Sequence, residues 1–220
     1  MKKLCLTIFA VVCLFVLSNN ALACACCAEP GTYSIWTGKP ADYTLEILSD
    51  IKFDTNATLY MTEAGFESIK GLGAIQAEYE GKSWTAQGGK FDLVNQFTNK
   101  TWKFTLKTPS GKTGTLSLPM PSQMIQFKVD IHDTPEDLNT QLYKEFRFKG
   151  NVQSGTGFFA SSIVRPTTYF LVFQGRGNGC DNAEDFSHWM LEINGKKARY
   201  QFNGKLSSGY LEGTINENPK

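Results

Sequence analysis

The chain has two histidines, His132 and His188, and a nearly even balance of charge, with 22 Lys and Arg against 21 Asp and Glu. So few imidazoles leave little material for general-base or zinc chemistry. The even balance, with no basic stripe or arm, argues against a nucleic-acid partner. Gly-x-Ser-x-Gly is absent, and Ser154-Gly155-Thr156-Gly157 does not replace it, so a nucleophile elbow is not encoded. Paired Cys-x-x-Cys knuckles, repeats of 20–50 residues and low-complexity linkers are also missing. The longest apolar run, Leu4–Leu17, is fourteen residues broken only by Thr7, short of the roughly 20 that a spanning helix needs.

That run is what is there in its place. Lys2 and Lys3 precede it, and Ala21-Leu22-Ala23 follows as a small-x-small cleavage pattern. Residues 1–23 therefore read as a cleavable signal peptide, and the exported chain should begin at Cys24. The expected location is periplasmic or extracellular, with no transmembrane segment left in the mature chain. Lipid attachment at Cys24 is a second outcome, which would anchor the protein to a membrane. Residues 24–40 then form a cysteine-containing tail, and 41–220 a single domain.

Period-two alternation dominates that domain. Trp102, Phe104 and Leu106 alternate with Thr and Lys, and Pro109-Ser110-Gly111 turns this strand into Thr113–Leu118. Ile125, Phe127, Val129 and Ile131 oppose Gln126, Lys128, Asp130 and His132. Tyr43, Leu45 and Ile47 alternate with Thr44 and Glu46, and a further strand falls at Lys144–Phe148. Tyr169–Phe173 is apolar on both faces and reads as a central strand. Near the end, Asn194-Gly195 and Asn203-Gly204 each separate alternating runs, predicting two positive-φ hairpin turns and a meander ending in a strand over 205–211. Glu80-Gly81-Lys82 and Gly88-Gly89 mark further turns. Helix is expected only in short pieces: one started by Thr134-Pro135-Glu136-Asp137, with single turns at Glu63–Lys70 and Ala183–Phe186. The fold class is all-β and mainly antiparallel, a single-domain β-barrel or β-sandwich with a C-terminal meander and one or two short helices.

Candidate chemistry is sparse. Four cysteines survive cleavage: Cys24, Cys26, Cys27 and Cys180. In an oxidising compartment they should pair, and adjacent cysteines bridge poorly because the linked Cα atoms prefer about 5.5 Å. Cys24–Cys27 with Cys26–Cys180 is the least strained solution. The rival is a soft-metal site at Cys24, Cys26 and Cys27, completed by Cys180 or His188. Gly175 to Trp189 holds the densest polar cluster. Its Gly-x-Gly-x-Gly run mimics a phosphate cradle without the spacing or the βαβ unit, and Asp181, Asn182, Glu184 and Asp185 lack a calcium-loop pattern. Cys180 with His188, assisted by Asp185, is the remaining catalytic candidate, provided the thiol is free. Failing that, the glycines make tight turns in a surface loop that Cys180 staples down. His132 falls on a polar face. Trp102 and Trp189 sit in phase with aliphatic neighbours and read as core, while Trp36 and Trp84 are candidate ligand-binding platforms. No cofactor is implied. The functional expectation is an exported, non-enzymatic binding domain for a small apolar or saccharide ligand or an envelope partner. The alternative is a metal-handling protein or hydrolase built on the Cys180–His188 loop.

Overall fold

In a computed structural model, residues 26–59, 70–73, 90–98, 100–132 and 141–207 are described. Among the described residues eleven strands make one antiparallel sheet: β1 (Tyr33–Gly38), β2 (Phe53–Leu59), β3 (Lys90–Phe97), β4 (Thr101–Lys107), β5 (Thr113–Pro119), β6 (Met124–Asp130), β7 (Leu142–Asn151), β8 (Ser154–Gly157), β9 (Thr167–Gly177), β10 (Phe186–Gly195) and β11 (Arg199–Leu206). Their spatial order is β1-β6-β7-β9-β10-β11-β2-β3-β4-β5-β8, and the sheet curls into a half-barrel. The all-β expectation holds, and the architecture is one curled sheet. Among the described residues no helix is long and apolar enough to cross a membrane.

Alternation explains the core. Phe91, Trp102, Phe104, Phe146, Phe148, Phe173, Trp189 and Phe202 are all buried on the inner face, with aliphatics between them. Phe53 adds edge-on contacts to Phe97, Phe104 and Phe173 at 5.2, 5.7 and 5.8 Å, the geometry that ring quadrupoles favour. Strand β9 is central, flanked by β7 and β10, and Leu171, Val172 and Phe173 are all buried, as its two-faced apolar run requires. The β4–β5 hairpin turns where Pro109-Ser110-Gly111 predicts it, with Gly111 at φ +87°.

Three expectations change. Residues 42–50 are helix, α1 (Asp42–Asp50), rather than strand. Tyr43, Leu45 and Ile47 alternate, but the buried positions are Thr44, Ile47, Leu48 and Ile51, spaced i, i+3, i+4 and i+7. Second, Asn203-Gly204 is not a turn. β11 runs straight through it, pairing with Met190 and Trp189 on one side and with Thr58 and Ala57 on the other. Gly204 is needed because a Cβ there would lie 2.5 Å from the Trp189 indole nitrogen and 3.0 Å from the Asn56 carbonyl. The meander is therefore β9-β10-β11. Its β10–β11 hairpin closes beyond Asn194-Gly195, where the Gly195 N–H meets the Ala198 carbonyl at 2.7 Å without positive φ. Third, β6 is inverted. The register aligns Gln126 and Lys128 with inward Phe146 and Lys144, so Ile125, Phe127 and Val129 face outward.

Ala183–Asp185 forms the expected short turn of 3-10 helix. The helix starts at Thr134 and Glu63, the turns at Glu80-Gly81-Lys82 and Gly88-Gly89, and the strand beyond residue 207 lie outside the described residues, as do residues 1–25.

The stretch read as a tail contributes edge strand β1, paired with β6. Ahead of it, the Asp130 carboxylate accepts the Gly31 N–H at 2.8 Å and the His132 N–H at 2.9 Å. These bonds, Gly31's first, hold the Asp130 carboxyl below the usual carboxylate range.

Two outcomes are expected. Gly204→Val should destabilise by about 1–3 kcal/mol through overpacking against Trp189; an unchanged denaturation midpoint would show that the indole does not need the space. Because the folded pKa of Asp130 is depressed, its stabilisation is present above its unfolded pKa of about 3.9. It is lost as pH falls through the lower folded value. Asp130→Asn should therefore melt below wild type at neutral pH, and thermal melts should converge in acid.

Candidate functional site

The inner face of β6 and β7 holds an unusual pair. Lys128 and Lys144 are direct cross-strand partners, an arrangement in which like charges repel. Lys144 is completely buried. The loop between β9 and β10 supplies the opposite charge. Lys144 Nζ stands 2.7 Å from Asp185 Oδ2 and 3.3 Å from Asp181 Oδ1, and it donates to the Cys180 carbonyl. Lys128 Nζ lies 3.0 Å from Asp181 Oδ1 and donates to the Gly179 carbonyl at 2.7 Å. Gln126 donates its amide to Asp181 Oδ2. The result is two ammoniums facing two carboxylates, with the remaining donors spent on carbonyls.

The glycines of Gly175-Arg176-Gly177 have a spatial role here. A Cβ on Gly175 would sit 1.8 Å from the Asp185 carbonyl oxygen, and one on Gly177 would sit 2.1 Å from Asp185 Oδ1. Their bare backbone lets the 3-10 turn lie directly on β9 beside Lys144, whose register partner is Gly175. Neither glycine has positive φ, so they serve neither tight turns nor a phosphate cradle. Asn182 and Asp185 cap one another: the Asn182 N–H donates to Asp185 Oδ2 at 3.0 Å, and the Asp185 N–H to the Asn182 carbonyl at 3.2 Å.

A disulfide between Cys26 and Cys180, 154 residues apart in sequence, fixes this loop to the N-terminal segment. The Gly179 N–H adds a bond to the Cys26 carbonyl at 2.6 Å. The Tyr43 hydroxyl on α1 donates to the Asp181 carbonyl. Desolvation, then the Asp181 charge, raises the pKa of that phenol.

The sequence candidates fall as follows. Cys180 is the disulfide partner expected for Cys26, so it offers no thiol to His188. His188 itself is exposed and bonded to its neighbour Ser187 at 2.9 Å. Alternation sends Trp189 into the core, which turns His188 outward, away from buried Asp185. The Cys180–His188–Asp185 constellation is therefore not assembled. Cys26, being bridged, is no thiolate ligand. Cys27 is exposed, Cys24 lies outside the described residues, and among the described residues no group of three His, Cys, Asp or Glu side chains could hold a metal. His132 is exposed, its Nδ1 2.9 Å from Asp130 Oδ1. Trp36 sits on the inner face of edge strand β1, 44% exposed, its indole over Gly38. Trp84 is outside the described residues.

Sequence reading missed both lysines. The signal for Lys144 was its phase: it shares a face with Leu142, Phe146 and Phe148, all core positions.

A second feature is apolar. Between α1 and β3–β4 lies a pocket of about 310 Å³ lined by Leu45, Leu48, Ile51, Phe97, Trp102 and Met120. Phe97 and Trp102 stack at 4.8 Å with their planes 14° apart. Ser49, Asn95 and Thr98 supply its polar groups.

Cys180→Ser should lower the melting temperature strongly. Chain-entropy arithmetic for a loop this long gives about 5 kcal/mol as an upper figure. Thiol titration of the unfolded, unreduced wild type should leave Cys180 unlabelled; quantitative alkylation there would remove the staple.

Comparison with protein-family models, with curated proteins and with solved structures returns no match, so the chemistry of the network and of the pocket is what bears on function.

Proposed function

We propose that this chain is an exported binding domain that holds a small apolar ligand between α1 and the β3–β4 end of the half-barrel. The observation that carries this reading is the lining of the pocket: four aliphatic or thioether side chains around a stacked Phe97–Trp102 floor. Its volume of about 310 Å³ falls at the small end of the range for ligand sites. Apolar walls with a few polar groups suit a short acyl chain or a single-ring aromatic molecule, with a polar head toward Ser49, Asn95 and Thr98. Buried aromatics such as Phe104, Phe146, Phe148 and Trp189 fill the adjoining core, and this pocket opens beside them. A signal-like leader and a long-range disulfide both fit work outside the cytoplasm. A non-enzymatic role fits Cys180 being cross-linked and His188 turned outward. A saccharide is the weaker fit among the described residues, where Trp36 is a half-exposed indole on an edge strand.

Leu45 and Ser49 border the pocket without being fully buried, so Leu45→Trp and Ser49→Trp should fill it with little effect on folding. Binding of octanoate, followed by calorimetry with native mass spectrometry, should weaken by about tenfold or more in either variant. Equal affinity in wild type and both variants, with unchanged melts, would place the ligand elsewhere.

A further inference from the structure

We propose that Lys144 and Asp185 are the reacting pair of an intramolecular amide crosslink. Lys144 is completely buried, and its Nζ stands 2.7 Å from Asp185 Oδ2. The nucleophile and the carboxyl are held by separate rigid elements, β7 and the capped 3-10 turn on Gly175 and Gly177, so the encounter is pre-organised. Asp181 is the third component, its Oδ1 3.3 Å from the same Nζ. Lys128 and Gln126 fix Asp181 from its other side.

The step balances without an outside reagent. One proton passes from the Lys144 ammonium to the Asp185 carboxylate beside it, which becomes a neutral acid, and Asp181 accepts a second proton from Nζ as the freed lone pair attacks Cγ. A bond forms between Nζ and Cγ. The charge that develops on Asp185 Oδ2 faces the Asn182 N–H, 3.0 Å away, which acts as an oxyanion donor. The intermediate collapses by breaking one Cγ–O bond. The departing hydroxyl takes the proton held by Asp181, and it leaves as water. One ammonium and one carboxylate become a neutral amide, and nothing is oxidised or reduced.

Two conditions favour the product. Burial excludes the water that would hydrolyse it. The amide also replaces an ion pair whose desolvation is costly in a protein interior. Asp181 stays charge-matched with Lys128 afterwards, so the reaction leaves no orphaned charge. The bond would tie β7 to the turn before β10, next to the Cys26–Cys180 disulfide, giving one end of the half-barrel two covalent staples.

Intact mass spectrometry of the exported full chain, unfolded and reduced, tests this directly. The expected mass is one water below that of the mature sequence. Trypsin should fail to cleave after Lys144, and fragmentation should identify the Lys144 and Asp185 peptides as one linked species. Lys144→Arg and Asp185→Ala should restore the full mass, and so should Asp181→Asn, which keeps the nucleophile and the carboxyl. A full-mass wild type after prolonged storage in the folded state would overturn the proposal. So would a water deficit without the linked peptide, because a dehydrated aspartate elsewhere gives the same mass. These wild-type readings do not depend on whether any variant folds.

Discussion

The opposition of half-buried Lys128 and fully buried Lys144 is the constraint around which this end of the molecule is arranged. Two ammoniums side by side on an inner sheet face are untenable alone. The β9–β10 loop must therefore return over the sheet and bring Asp181 and Asp185 with it. That return requires bare backbone at Gly175 and Gly177. It requires a turn compact enough to seat Asp185, which the Asn182–Asp185 cap provides. It also sets Cys180 where the N-terminal segment can reach it. The disulfide, the glycine pair and the capped turn are consequences of one electrostatic problem.

Such a network specifies more than it stabilises. A buried ion pair roughly cancels its Coulomb gain against desolvation, so well-packed apolar residues would do as well or better for stability alone. Four charged groups and their carbonyl partners nevertheless fit only one placement of the loop, since shifting it by a residue would leave Lys144 buried and unpaired. The aromatic core is less demanding. Phe53, Phe97, Phe104 and Trp189 meet at several tilts, from edge-on to 34°. Bulk stability comes from that core, and the position of the loop comes from the charges.

What was legible in the sequence follows from the same division. Strand β9, the β4–β5 hairpin, buried Trp102 and Trp189, and the Cys26–Cys180 bond were readable, because local alternation, a glycine turn and cysteine geometry determine them. Alternation gives a period but not a sign, so nothing local says that β6 turns its polar face inward. Over Tyr43–Ile47 the strand and helix periods share Ile47, and buried Thr44, Leu48 and Ile51 follow the helix alone. Gly204 looked like a turn residue because the Trp189 indole above it comes from another strand. The lysine pair was hidden for a related reason: Lys128 and Lys144 meet only through the β6–β7 register. The pocket likewise depends on α1 reaching β3 and β4, a contact no local pattern encodes.

Helix α1 is where the two regions join. Its first turn carries Tyr43, whose hydroxyl is bound to the loop through the Asp181 carbonyl. Ile47, Leu48 and Ile51 pack into the aromatic core, while Leu45, Leu48 and Ile51 face the apolar pocket. A helix of nine residues is too short to hold its position by intrinsic propensity. It is held by a polar contact near its start and by apolar burial along one face. The hydrogen bond is directional and fixes which way the helix points, whereas burial fixes how closely it approaches the sheet. The opening of the pocket depends on both, so the shape of the apolar cavity is set partly by the charged network at the far end of the same helix.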